Sequence, residues 1–193
     1  SRLSVPRGIP ILGINMGRLG FMTELRAEDA LDKVPQYIEG AARVEERSML
    51  HVDYIPAGER NGQNGGSGGK GVRYHALNDA VVGRGAIARL VNIKAFIDGA
   101  HLTDFRSDAV IAATATGSTG YNLSVGGPIL PPQADEIILK AVAPHVGIAP
   151  ALVLPVSSVV ELVVETDHPA ILSVDGYMDS DLSFGDTIRV QTS

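Results

Sequence analysis

The sequence contains no cysteine and no tryptophan, and only 5% of its 193 residues are aromatic. Without cysteine there is neither a disulfide scaffold nor a thiolate zinc site, which fits a reducing compartment. Positive charge is scarce as well: 16 Lys and Arg face 22 Asp and Glu, and the formal charge is -6. The basic residues are scattered, so phosphate backbones and anionic bilayers are repelled, and neither nucleic acid nor membrane is an expected partner. No apolar run approaches the ~18 residues of a membrane span, and the first residues lack the charged-then-apolar layout of a signal peptide. A cytoplasmic protein is therefore expected. What is present is an ordinary globular composition, 45% hydrophobic and 20% charged, in a chain long enough for one domain plus a fragment of another. The run Gly8-Ile9-Pro10-Ile11-Leu12-Gly13 reads as a buried strand. It lies so close to Ser1 that a preceding segment is expected.

Apolar periodicity sorts the rest. Ala27, Ala30, Leu31, Val34 and Ile38 fall on one helical face behind the acidic Glu28 and Asp29, with Pro35 as a kink or an early stop. From Met49 to Ile55 the period changes to two, as in a half-buried strand. Strand-like stretches follow at 75–82, 89–97, 109–113, 159–165, 170–174 and 187–191, separated by turn signals such as Asp98-Gly99, Asp175-Gly176 and Phe184-Gly185-Asp186. Many short strands with little helix between them predict a mainly β, sandwich-like pair of sheets. One further helix is expected at 135–142, bracketed by Pro131-Pro132 and Pro144. Between Gly58 and Gly71, seven of 14 residues are glycine. The flanks of its Gly68-Gly69-Lys70-Gly71 ending do not match a Walker loop, so a flexible hairpin loop is expected.

Gly83-Arg84-Gly85-Ala86-Ile87-Ala88 matches the dinucleotide fingerprint, but an alternating strand-like stretch follows it instead of the helix that would carry a pyrophosphate. A hairpin turn is expected there. The five histidines are too far apart in sequence to pair on a helix, and no Gly-x-Ser-x-Gly elbow is present. The stretch from Ser107 to Pro128 carries more chemistry. A buried strand delivers Thr116-Gly117-Ser118-Thr119-Gly120-Tyr121-Asn122-Leu123-Ser124, in which the glycines admit a close approach, the hydroxyls offer hydrogen bonds and Tyr121 offers an aromatic face. This composition suits a nucleoside cradle, or a small-residue loop joining two core elements. Asn78-Asp79 likewise suits a ribose diol, or a turn.

Four segments in order, Gly13-Ile14-Asn15-Met16-Gly17-Arg18-Leu19-Gly20-Phe21, Leu77-Asn78-Asp79, Asp108 through Pro128, and Ser173-Val174-Asp175-Gly176, together resemble the NAD kinases, the ATP-NAD and polyphosphate-NAD kinase family. The resemblance covers nearly the whole chain apart from the glycine loop. It implies the β-sandwich-like C-terminal domain of the NAD kinase and diacylglycerol-kinase-like fold over residues 26–193, with residues 1–25 a remnant of an N-terminal α/β domain. It implies phosphorylation of the 2′-hydroxyl on the adenosine ribose of NAD to give NADP, with ATP or polyphosphate as donor, a divalent cation such as Mg2+, and a homodimer or homotetramer. By this likeness Phe21, Asn78, Thr119, Gly120, Tyr121 and Ser124 surround the adenosine, with Asp79 near the ribose hydroxyls. Asp108 lies towards the nicotinamide, Pro128 and Leu130 reach a neighbouring subunit's site, and Gly176 lines the pocket. Two positions depart from the family pattern: Asp79 stands where Glu is usual, and Gly120 where Ala is common. The family's Gly-Gly-Asp-Gly-Thr motif is not found here, so the catalytic residues are expected upstream of Ser1 and the isolated chain is expected to be inactive. A lipid or sugar kinase of the related group, or a non-catalytic nucleotide-binding β domain, are the alternatives.

Overall fold

The computed structural model describes residues 8–17, 23, 25–40, 42–59, 71–85, 89–145 and 150–193. Two compact units divide the chain, Ser1–Glu46 and Arg47–Ser193. In the first, β1 (Ile14–Asn15) and β2 (Leu25–Arg26) pair in parallel, and α1 (Ala27–Ile38) follows directly. The helix runs about one turn past Pro35, because a proline there deletes only one backbone bond, to the carbonyl four residues earlier. The buried strand expected over 8–13 is not formed. Pairing begins only at Ile14, opposite Leu25, and Ile9 and Ile11 are exposed.

The second unit is a pair of six-stranded antiparallel sheets, as the period-two pattern predicts. The first contains β5 (Asp79–Arg84), β8 (Ala109–Ala113), β9 (Ile137–Val142), β10 (Leu152–Leu154), β12 (Ala170–Val174) and β13 (Met178–Leu182), in the spatial order β10-β9-β8-β5-β12-β13. The second contains β3 (Leu50–Ile55), β4 (Val72–Ala76), β6 (Val91–Ile97), β7 (Ala100–Ser107), β11 (Val160–Val164) and β14 (Thr187–Thr192), ordered β4-β3-β14-β11-β6-β7. Val82, Val110, Ala112, Leu139 and Leu172 of one sheet meet Leu50, Val52, Ile93, Leu162 and Ile188 of the other in a single buried cluster. A second cluster, Ala109, Ile111, Ala113, Ile138 and Val142, covers the opposite face of β8 and β9, so these central strands are buried on both sides.

That double burial explains one failed expectation. Residues 135–142 were expected to be helical, yet 137–142 form β9 between β8 and β10. A short continuous apolar run between prolines has no period to distinguish a buried strand from a buried helix. Two further expectations change because the chain crosses between sheets. The strand expected over 75–82 is two strands: β4 ends at Ala76 in one sheet and β5 begins at Asp79 in the other, so Leu77-Asn78 is a crossing. The turn after Gly83 is not a hairpin either, since β5 and β6 lie in different sheets. The strand β6 follows it in place of a helix, which removes the dinucleotide-fingerprint reading.

Candidate functional site

The crossing at Leu77-Asn78 takes three consecutive backbone N–H groups out of both sheet ladders at once, and buried amides need partners. One side chain supplies them all. The Asp175 carboxylate, in the turn between β12 and β13, accepts from Leu77 N at 2.9 Å, Asn78 N at 2.7 Å and Asp79 N at 3.1 Å. In return the Asp175 N–H donates to the Asp79 carbonyl at 2.9 Å. Thr114, just past the end of β8, holds the other side. Its N–H donates to the Asn78 carbonyl at 2.9 Å, its hydroxyl donates to the Leu77 carbonyl at 2.5 Å, and its Oγ1 accepts from Gly117 N at 3.0 Å. Gly117 packs so closely on this bend that a Cβ there would fall 2.0 Å from the Asn78 carbonyl oxygen. The Asn78-Asp79 pair and the hydroxyl-rich segment are thus locked together at one end of the first sheet.

Beyond Gly117 the chain makes a short 3-10 turn and then the single-turn α2 (Tyr121–Ser124). Asn122 organises this stretch: its side-chain amide donates to the carbonyls of Ser118 at 3.0 Å and Pro128 at 2.9 Å. Gly127 leaves the room it occupies, since a Cβ there would lie 1.9 Å from Asn122 Oδ1. Ser118 is fully buried; its hydroxyl donates to the Ala115 carbonyl and accepts from Leu130 N. It is a structural hydroxyl, not one offered to a ligand. Thr119 and Ser124 donate to the carbonyls of Thr116 and Tyr121, which leaves lone pairs on both oxygens to accept from an exocyclic amine. Tyr121 is 43% exposed, with a ring face open to stacking.

Asp79 is the electrostatic centre. It is 8% exposed, and burial, reinforced by the nearby Asp175 charge, pushes its carboxyl up to about 6. When ionised, such a group accepts strongly from paired hydroxyls; when protonated, it also donates. Asp108 is not part of this cluster. It sits at the far end of β8, where Arg84 Nε lies 3.5 Å from its carboxylate, about 20 Å from Thr114 by strand rise. Pro128 and Leu130 close the segment after α2, and Leu130 packs on the outer cluster of β8 and β9. Gly176 is exposed beside Asp175. Phe21 lies outside the described residues.

The histidines partly converge, as His51 and His75 meet edge-to-face with ring centroids 4.6 Å apart. Among the described residues no group of three His, Asp or Glu is placed to hold a metal ion. Sequence reasoning missed Thr114, Asn122 and the carboxylate of Asp175 as the groups that shape the site. The Asp-Gly turn and the Gly126-Gly127 pair beside Asn122 were the available signals.

Comparison with known proteins follows the same two parts. A family model described as the ATP-NAD kinase C-terminal domain matches residues 77–193, and one described as the ATP-NAD kinase N-terminal domain matches residues 1–42. An NAD kinase of Dehalococcoides mccartyi (strain ATCC BAA-2100) is 40% identical over 189 residues, covering 98% of this chain and 63% of the relative. One of Chloroflexus aggregans is 36% identical, covering all of this chain and 66% of the relative. The chain therefore spans just under two thirds of the length of these relatives. Among solved structures, yeast NADH kinase complexed with NADH superposes with a TM-score of 0.85 at 31% identity, over 95% of this chain and 51% of that one. An Archaeoglobus fulgidus NAD kinase in complex with ATP gives 0.76 at 27% identity, over 95% and 65%.

Proposed function

The chain belongs to the ATP-NAD kinase family, and from that premise we propose that its protein transfers a phosphoryl group to the 2′-hydroxyl on the adenosine ribose of NAD, giving NADP. This chain supplies chiefly the recognition of NAD. The observation that carries the reading is the interlock of Asn78-Asp79 with the segment from Thr114 to Tyr121, which brings an amide, a buried carboxylate, hydroxyl oxygens and an aromatic face to one place. Asn78, Asp79, Thr119, Gly120, Tyr121, Ser124 and Gly176 are assigned to the adenosine. Asp108, at the other end of β8, is assigned to the nicotinamide side, a separation that suits an extended dinucleotide.

ATP is the proposed donor, in keeping with the Archaeoglobus relative's complex. The yeast relative's complex makes NADH a second acceptor to assay. The described residues do not fit a divalent cation, since no three ligating side chains converge, so no step is derived through one. Activation of the hydroxyl is assigned to residues outside this chain. Pro128 and Leu130 are assigned to a neighbouring subunit's site in a homodimer or homotetramer, and the protein is placed in the cytoplasm. Among the described residues no helix is long and apolar enough to cross a membrane.

In the full-length protein, Asn78→Ala and Tyr121→Ala should each weaken NAD binding by about 1 to 3 kcal/mol, the loss expected for a buried polar contact. Calorimetric titration checks this, and unchanged affinity in both variants removes the assignment. A melting shift with NAD and none with a lipid or sugar separates the reading from that of a lipid or sugar kinase.

A further inference from the structure

We propose that Asp175 is a positioning residue for nucleoside recognition: its carboxylate fixes the backbone of Leu77–Asp79 so that the side chains of Asn78 and Asp79 are presented together to the ribose. The inference rests on the reading of this site as the NAD site. Its ground is how completely the carboxylate is committed. Oδ1 accepts from both Asn78 and Asp79, and Oδ2 accepts from Leu77, so the group faces the backbone of the crossing and acts on a ligand only through it. No neutral side chain of this size offers two acceptor oxygens in that fork, and hydrogen bonds to a charged acceptor are stronger than neutral ones.

The hold is reciprocal. The Asp175 N–H returns to the Asp79 carbonyl, and the Thr114 N–H takes the Asn78 carbonyl from the opposite side. Each peptide plane from 77 to 79 is therefore oriented by a named partner. Freeing the three N–H groups lets these planes rotate, which moves the Asn78 and Asp79 side chains apart and loosens the carbonyl against which Gly117 packs. Asp175 itself sits at φ +53°, a left-handed conformation that Asp, Asn and Gly tolerate best, within a turn closed by Tyr177 N to the Val174 carbonyl.

The second sheet contains a matched control. Asp98 also begins an Asp-Gly turn at φ +51°, and its carboxylate accepts a single N–H, that of Val159. The test compares Asp175→Gly, which keeps the backbone conformation and removes the carboxylate, with Asp175→Asn and Asp98→Gly in the full-length protein. Kinase kinetics are measured below the melting transition, together with amide hydrogen exchange of the ligand-free protein.

Asp175→Gly should raise KM for NAD about tenfold and leave KM for ATP within about twofold, with faster exchange at Leu77–Asp79. Asp175→Asn, which retains one acceptor oxygen, should fall in between, and Asp98→Gly should leave both constants within about twofold. An unchanged KM for NAD in Asp175→Gly, an equal rise for NAD and ATP, or the same behaviour from Asp98→Gly overturns the proposal. Should Asp175→Gly fail to fold, Asp175→Asn against Asp98→Asn decides, a selective rise for NAD in the first supporting the role and its absence overturning it. A wild-type protein with no affinity for NAD fails the functional reading itself and takes the proposal with it. A wild type that phosphorylates NAD beside an unaffected Asp175→Gly overturns the positioning role alone.

Discussion

The two Asp-Gly turns show how one sequence device serves two purposes. Asp98-Gly99 joins β6 to β7 and Asp175-Gly176 leads from β12 into β13, with both residues of each pair at positive φ. In each, the Asp N–H donates to a strand-end carbonyl at 2.9 Å, of Val159 in one case and Asp79 in the other. They differ in what the carboxylate finds. Val159 immediately precedes β11, which pairs with β6 in the same sheet, so Asp98 meets one unsatisfied amide. Asp175 meets a chain leaving one sheet for the other, and three amides are free there. A sheet crossing, not a special dipeptide, makes the second turn part of a site.

The largest effect that can break this comparison is on stability. Asp175→Gly should cost about 4 kcal/mol, because three charge-assisted bonds are lost and relief of left-handed strain offsets only part. Asp98→Gly should cost about 1 kcal/mol. Urea denaturation of both variants measures the difference, and equal costs would abolish the distinction. Next is the opposite side of the same bend. Gly117→Ala places a methyl 2.0 Å from a backbone oxygen, which forces the chain to move and should cost about 3 to 4 kcal/mol, at the severe end of overpacking. A melting temperature unchanged in this variant would mean that the bend is not gripped from both sides.

Much of this was legible beforehand and some of it could not be. The bounds of β8 and β12 follow from short apolar runs between turn signals, and the sandwich follows from their number. The crossing at Leu77-Asn78 was hidden because residues on both sides of it are good strand formers, and changing sheets is a tertiary event with no local code. Asp175 is legible as a turn residue, but its partners lie as many as 98 residues away in sequence, and nothing in the spacing announces them. The hydroxyl-rich segment stood out by composition. Which of its hydroxyls are structural did not, because Ser118 and Thr119 are adjacent and differ only in the direction that a 3-10 turn gives them.

Protonation sharpens the contrast further. Asp79, beside Asp175, has its carboxyl raised from 3.8 to about 6, first by burial and second by the Asp175 charge. A folded-state value above the unfolded one means the folded protein holds the proton more tightly. The associated stability is therefore complete below pH ~4 and lost as pH rises through about 6. The gap is worth up to ~3 kcal/mol. Asp79→Asn should flatten this part of the stability profile between pH 4 and 6, measured by denaturant titration at each pH, while Asp98→Asn should leave it intact. Binding should run the other way, since ribose hydroxyls donate best to the ionised carboxylate. NAD affinity is expected to rise through pH 6 in the wild type and to lose that rise in Asp79→Asn.

The smallest effects test whether the two turns are alike apart from their carboxylates. Gly99 sits at φ +80° and Gly176 at φ +61°, and a Cβ added at either meets no atom within 4 Å. Only backbone strain then opposes an alanine, and that strain is about 1 kcal/mol for a left-handed residue. Gly99→Ala and Gly176→Ala should therefore destabilise by about the same 1 kcal/mol, seen as closely matched shifts in thermal melts. If they match, the turns are interchangeable as backbone, and the functional difference belongs to Asp175 and the amides it collects. A clearly larger loss at Gly176 would show instead that its turn is strained by the crossing it holds. The grip on Leu77–Asp79 would then come from the whole hairpin end and not from one side chain.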